Sequence, residues 1–68
     1  NIYRVMGKYK NFNIVGMDTD NGYDMWIVRK SGQPVARINK PVHQLDIVGD
    51  KLFLLYDKGL VVFDMKML

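Results

Sequence analysis

Three turn signals cut this chain into short apolar runs: Asp20-Asn21-Gly22, Ser31-Gly32 and Asp57-Lys58-Gly59, each flanked by residues rich in Val, Ile, Leu and aromatics. Asn-Gly and Asp-x-Gly sequences favour tight hairpins, because such turns need positive φ at one or two positions, which Gly and Asn reach at little steric cost. With a further turn at Gly49-Asp50, this punctuation predicts strands over residues 2–9, 11–17, 23–30, 34–39, 42–48, 51–57 and 60–65. A helix over residues 45–56 has enough Leu, but Gly49-Asp50 sits in its middle and β-branched residues flank it, so strand, turn, strand is preferred. The expected fold is all-β: a small antiparallel meander of six to seven short strands, forming one domain over residues 1–68.

Alternation within the strands carries the next step. Residues 34–39 put Ala36 and Ile38 on one side and Val35 and Arg37 on the other, while His43, Leu45 and Ile47 oppose Gln44 and Asp46, as half-buried strands do. Met25-Trp26-Ile27-Val28, Leu52-Phe53-Leu54-Leu55-Tyr56 and Leu60-Val61-Val62-Phe63 are instead apolar on both faces. Burying one such side chain is worth about 1.5 to 3 kcal/mol, so a wet second face is an incentive to associate. The expectation is a meander closed into a barrel or sandwiched, with the remaining apolar surface covered by a second copy or another chain.

At 68 residues a single core is marginal without help. The absence of cysteine removes disulfides and thiolate metal sites, and fits a reducing, cytoplasmic setting. A lone His excludes a multi-His zinc site within one chain. No apolar run approaches the ~20 residues of a membrane span, so no membrane partner is expected. The first residue is Asn1 rather than Met, which points to processing or to trimming from something longer. Ten Lys and Arg against seven Asp give a net charge of +3, spread along the chain in a manner that suits solubility and edge protection.

An internal repeat also shows. Ile14-Val15-Gly16, residues 26–32 and residues 35–40 can be laid over Ile47-Val48-Gly49, residues 53–59 and residues 61–66. Each copy reads strand, turn, strand, glycine turn, strand. Such a unit resembles the meander of a β-propeller blade, and Gly59 through Asp64 is similar to the glycine-to-aspartate ending of such blades. Two units cannot close a propeller of four or more blades, so the resemblance implies a repeated meander and brings no functional residues with it.

Chemistry-bearing constellations are sparse. Asp18-Thr19-Asp20-Asn21-Gly22-Tyr23-Asp24 resembles the start of a calcium loop, but Gly22 stands where a ligand is needed and no Glu closes the loop. The expected state is a solvated turn whose Asp and Asn side chains bond their own backbone. His43 is the one ordinary general base; in an extended strand it and Asp46 point to opposite faces, leaving a half-buried His with a backbone partner. Ser31 is a turn residue beside Gly32. No catalytic residue, metal or cofactor is expected.

Two binding modes remain. Trp26, Phe53, Tyr56 and Phe63 supply aromatic anchors for a protein partner, including the chain's own copy, through apolar strand faces or an open strand edge. Alternatively, Tyr3, Arg4, Lys8, Tyr9, Lys10, Arg29 and Lys30 interleave rings with cations, as surfaces that bind single-stranded nucleic acid do. The bland reading of this aromatic set places Phe12 and Trp26 in the core and treats the tyrosines as strand formers. With no glycine-aromatic recognition motif beside the charge, the sequence favours a non-enzymatic, self-associating protein-interaction module. Calcium is expected to leave the melting temperature unchanged, since a ligand that binds only the folded state raises it; a rise of several degrees at sub-millimolar calcium would overturn the reading of Asp18, Asp20 and Asp24.

Overall fold

The computed structural model describes residues 2–68. Seven strands follow one another: β1 (Arg4–Tyr9), β2 (Phe12–Thr19), β3 (Gly22–Arg29), β4 (Pro34–Val42), β5 (Gln44–Val48), β6 (Lys51–Tyr56) and β7 (Gly59–Asp64), with a 3-10 turn at Met65–Met67. They form two antiparallel meanders, a four-stranded sheet in the order β1-β2-β3-β4 and a three-stranded sheet in the order β5-β6-β7. Among the described residues, no helix is long and apolar enough to cross a membrane.

The three turn signals all serve as connections, and the β2–β3 turn shows why. Thr19 pairs with Gly22 across a two-residue loop, and Gly22 takes a φ of 137°. A Cβ at that position would lie 2.9 Å from the Val42 carbonyl oxygen, so both the backbone angle and the neighbouring strand require glycine. Thr19 completes the turn, its hydroxyl donating to the Gly22 carbonyl and accepting from the Asn21 amide. Capping by Thr19 replaces the expected bonding by Asp and Asn side chains.

Leu52 and Leu54 of β6 are at most 3% exposed and join Ile14, Met25, Ile27 and Val42 of the larger sheet in one apolar cluster. Tyr9 and Met65 close its ends, and Leu45, Ile47, Val61 and Phe63 pack against it. The two sheets lie face to face and share this core. At Gly7 the side chain of Ile47 reaches the backbone of β1, where a Cβ would sit 2.7 Å from Ile47 Cδ1. The bulge between Val5 and Gly7 in β1 sets that glycine against β5.

Polar ties reinforce the joint. The Tyr9 hydroxyl donates to the Asp50 carboxylate, and the Met65 amide donates to the Asp50 carbonyl at 2.8 Å. The β5–β6 turn thereby holds both the first hairpin and the C-terminal turn. At the other end, Lys40 Nζ stands 4.5 Å from the Tyr56 ring centroid and His43 Nε2 lies 2.6 Å from Asp57 Oδ1.

Several expectations are corrected. The meander is not a closed barrel: hydrogen-bonded pairing stops at β4, and the chain passes to the second sheet through His43. Strand β4 continues through Pro41 to Val42 instead of ending at Asn39, because a proline on an edge strand leaves no ladder bond unmade. The laid-over repeat fails in its third strand. Val35 is exposed, whereas Val61, placed on it, packs against the core; a one-residue offset in a strand reverses every side chain. Met65, expected as strand, begins the 3-10 turn.

The facing of β6 is directly testable. Leu52→Ala should cost about 2 to 5 kcal/mol in a urea titration, while Leu55→Ala, on the opposite face and 45% exposed, should cost well under half as much at concentrations that keep the chain monomeric. Equal losses would contradict the shared core.

Candidate functional site

Period-two alternation that buries one face of each sheet sends the other face outward. On the larger sheet, Val5, Val15, Trp26 and Arg37 pair across all four strands as one row. Next to it, Asn13 opposes Val28, which opposes Pro34. An open apolar depression on this face is lined by Tyr3, Val15, Trp26, Val28, Gly32 and Pro34. On the smaller sheet, Asp46 opposes Phe53, which opposes Val62, and Gln44 opposes Leu55, which opposes Leu60. Leu60 and Val62 are 58% and 50% exposed.

Asp24 organises the first face. Its carboxylate accepts from the Tyr3 hydroxyl at 2.6 Å and from Arg37 Nε and Nη2, each at 3.3 Å. The Arg37 guanidinium lies 5.7 Å from the Trp26 ring centroid, within cation–π range. Asp24, Tyr3, Trp26 and Arg37 therefore form one joined unit. The bond to the anionic Asp24 raises the Tyr3 phenol above its ordinary pKa, because ionising Tyr3 would set two negative charges side by side. Asp50 does the same to Tyr9. Asp64 goes the other way, lowered by its bonds to Lys51 and to the Lys66 amide.

The aromatic anchors do not share one surface. Trp26 is half-buried on the outer face of the larger sheet rather than in the core, a correction to the bland reading, while Phe12 does pack against the core. Phe53 lies on the outer face of the smaller sheet. Phe63 packs inward against the core cluster, and Tyr56 is half-buried beneath Lys40.

The interleaved set is divided as well. Tyr9 is 8% exposed, so its ring offers no platform for a base, and Lys10 lies 5.3 Å from that ring. Arg4 bonds Asp18 at 3.2 Å and lies 5.9 Å from the Tyr23 ring. Arg29 stands 5.6 Å from the Phe12 ring. Tyr3 is tied to Asp24, while Lys8 on β1 and Lys30 in the β3–β4 loop are exposed.

The acidic turn also separates. Asp18 faces Arg4 and Asp24 faces Tyr3 and Arg37, and no group of three or more His, Cys, Asp or Glu suited to a metal ion occurs among the described residues. His43 is exposed and pairs with the Asp57 side chain, a correction to the half-buried histidine with a backbone partner; the sheet-to-sheet corner turns its ring toward the β6–β7 turn. Sequence reasoning passed over Asp24 and Arg37 as parts of the Trp26 face. The available signal was the two-residue spacing of Asp24 and Trp26, which puts both on one side of β3. Comparison with protein-family models, curated proteins and solved structures found no match.

Phenol titration tests the carboxylate contacts. Tyr3 and Tyr9 should ionise above the ordinary value of about 10, followed by phenolate absorbance, and Asp24→Asn should return Tyr3 toward it while leaving Tyr9 in place. Because both shifts are upward, the stability they contribute is present below about pH 10 and is lost as pH rises through the folded-state values. Unshifted midpoints for all tyrosines would contradict both contacts.

Proposed function

We propose that the chain is a non-enzymatic protein-interaction module that binds through the outward apolar faces of its two sheets and self-associates. The observation that carries this reading is the pair of uncovered faces, with Val5, Val15, Trp26 and Val28 on one and Phe53, Leu55, Leu60 and Val62 on the other. Contiguous apolar surface of this kind marks interaction sites on small soluble proteins. Faces are favoured over edges by the state of the edge strands. Of the four edges, β1 is bulged, β4 carries Pro34, Lys40 and Pro41, and β5 is short with Asp46 at its centre, which discourages strand addition there, while β7 is regular and apolar and is the one edge left open to it. The cysteine-free composition supports a cytoplasmic setting.

Binding of single-stranded nucleic acid is the competing mode, and salt separates the two. Apolar association is nearly indifferent to moderate salt, whereas phosphate contacts weaken steeply. Light scattering at micromolar concentration should give a mass above that of one chain at both low and moderate salt, and single-stranded DNA and RNA should bind weakly. A strict monomer that holds single-stranded nucleic acid tightly at low salt, and releases it with salt or after neutralisation of Arg29 and Lys30, would replace this reading with the nucleic-acid one.

A further inference from the structure

Four strand edges border the two sheets, and only one of them is built to pair. β1 is bulged, β4 carries two prolines and β5 holds Asp46 at its centre, whereas β7 keeps one unbroken register with β6 and reads Leu60-Val61-Val62-Phe63 along its length. Pairing parity fixes which of its backbone groups are free. Tyr56 and Gly59 flank the two-residue loop Asp57-Lys58 and so exchange their backbone bonds, and every second pair does the same: Leu54 with Val61, then Leu52 with Phe63. Leu55 agrees with this alternation, since its carbonyl turns to the β5 side and accepts from the His43 amide at 2.7 Å. Leu60 and Val62 therefore aim their N–H and C=O groups sideways, away from β6, where no strand lies among the described residues.

We infer that β7 is a self-pairing edge: it takes β7 of a second copy, antiparallel about a two-fold axis, and joins two three-stranded sheets into one of six strands. This rests on the self-association in the reading above and adds the contact that carries it, leaving both outer faces free for a partner. A strand added at this edge must be apolar on both sides, to lie beside Leu60 and Val62 on the outer face and beside Val61 and Phe63 on the inner. β7 is itself such a strand. Parity allows two central registers. With Val61 on the axis, Leu60 of one copy exchanges backbone bonds with Val62 of the other, and each Phe63 falls opposite the other copy's Gly59. A Cβ at Gly59 would meet nothing within 4 Å, so a ring has space there, and an aromatic opposite a strand glycine restores the packing that the glycine lacks. With Val62 on the axis, Gly59 would instead face Met65, which is 1% exposed in its own core and has left the strand for the 3-10 turn, and Leu60 would face the charged Asp64. The residues fit the first register. Because the other three edges discourage pairing, the contact has no second edge through which to propagate and closes at a dimer.

A proline at position 62 tests the contact, because it removes an outward N–H and no β6–β7 bond. The two-fold axis doubles the loss, so Val62→Pro should weaken dimerisation by about thirtyfold or more in analytical ultracentrifugation, with the circular dichroism spectrum of the parent. Phe53→Lys, on the outer face of β6 and away from the edge, should dimerise as the parent does. Should Val62→Pro fail to fold, amide hydrogen exchange of the parent chain decides. The Leu60 and Val62 amides should exchange about tenfold more slowly, or slower still, at a concentration that gives dimer than at one that gives monomer, while the Val61 amide stays protected at both. A monomeric Phe53→Lys beside a Val62→Pro that still associates moves the contact to the sheet face, which overturns the edge inference and keeps the interaction reading. Unprotected Leu60 and Val62 amides in the dimer overturn it likewise. A parent chain that is monomeric at every concentration ends both the inference and the self-association on which it rests.

Discussion

Everything in this molecule hangs on one apolar layer shared by two sheets. Neither meander closes on itself, and a three-stranded sheet such as β5-β6-β7 has only one side on which to find a core. Leu52 and Leu54 supply that side against Ile14, Met25 and Ile27. At about 1.5 to 3 kcal/mol for each fully buried aliphatic chain, these contacts outweigh the surface ion pairs, which contribute about 0 to 1 kcal/mol each. The glycine at position 7 gives this layer room, since a Cβ there would meet the Ile47 Cδ1 methyl at 2.7 Å and require that side chain to shift.

The layer also explains where polar groups are spent. Tyr9 and Asp50 join the first hairpin to the β5–β6 turn at one end, and Lys40 with Tyr56 and His43 with Asp57 join the sheets at the other. Tyr9 and Tyr56 are the shielded partners of their ties, whereas His43 and Asp57 are both exposed. His43 thus serves as a corner residue. Its amide donates to the Leu55 carbonyl while its ring reaches Asp57, so the single-residue crossing from one sheet to the next is held by both backbone and side chain.

Strand positions were legible because turn chemistry is local. Asn21-Gly22 and Lys58-Gly59 act through φ at particular residues, and period-two alternation needs no knowledge of distant partners. Even the turn at Lys10-Asn11, which has no glycine and holds Lys10 at a φ of 50°, fell between two readable runs. Closure was not legible. Whether β4 pairs onward or hands the chain to a second sheet depends on the corner at His43, and no residue there announces it. The fate of Trp26 was hidden for the same reason: on a strand apolar on both faces, sequence shows that one face is inward without showing which. Asp24 looked like part of an acidic turn because its neighbours in sequence are acidic, whereas its partners in space, Tyr3 and Arg37, lie 21 and 13 residues away.

A chain this short can build one inter-sheet layer but has strand sequence enough for more. Met25 and Ile27 use the inward side of β3, and Trp26 and Val28 are left over; Leu52 and Leu54 use the inward side of β6, and Phe53 and Leu55 are left over. The outward aromatic and aliphatic residues lie outside the core cluster. Around Trp26 they are joined to polar groups, since Asp24 bonds Tyr3 and Arg37 and the Arg37 guanidinium lies 5.7 Å from the Trp26 ring centroid. On the proposed interaction reading, a ring braced in this way loses little entropy on being covered, as an interface anchor does.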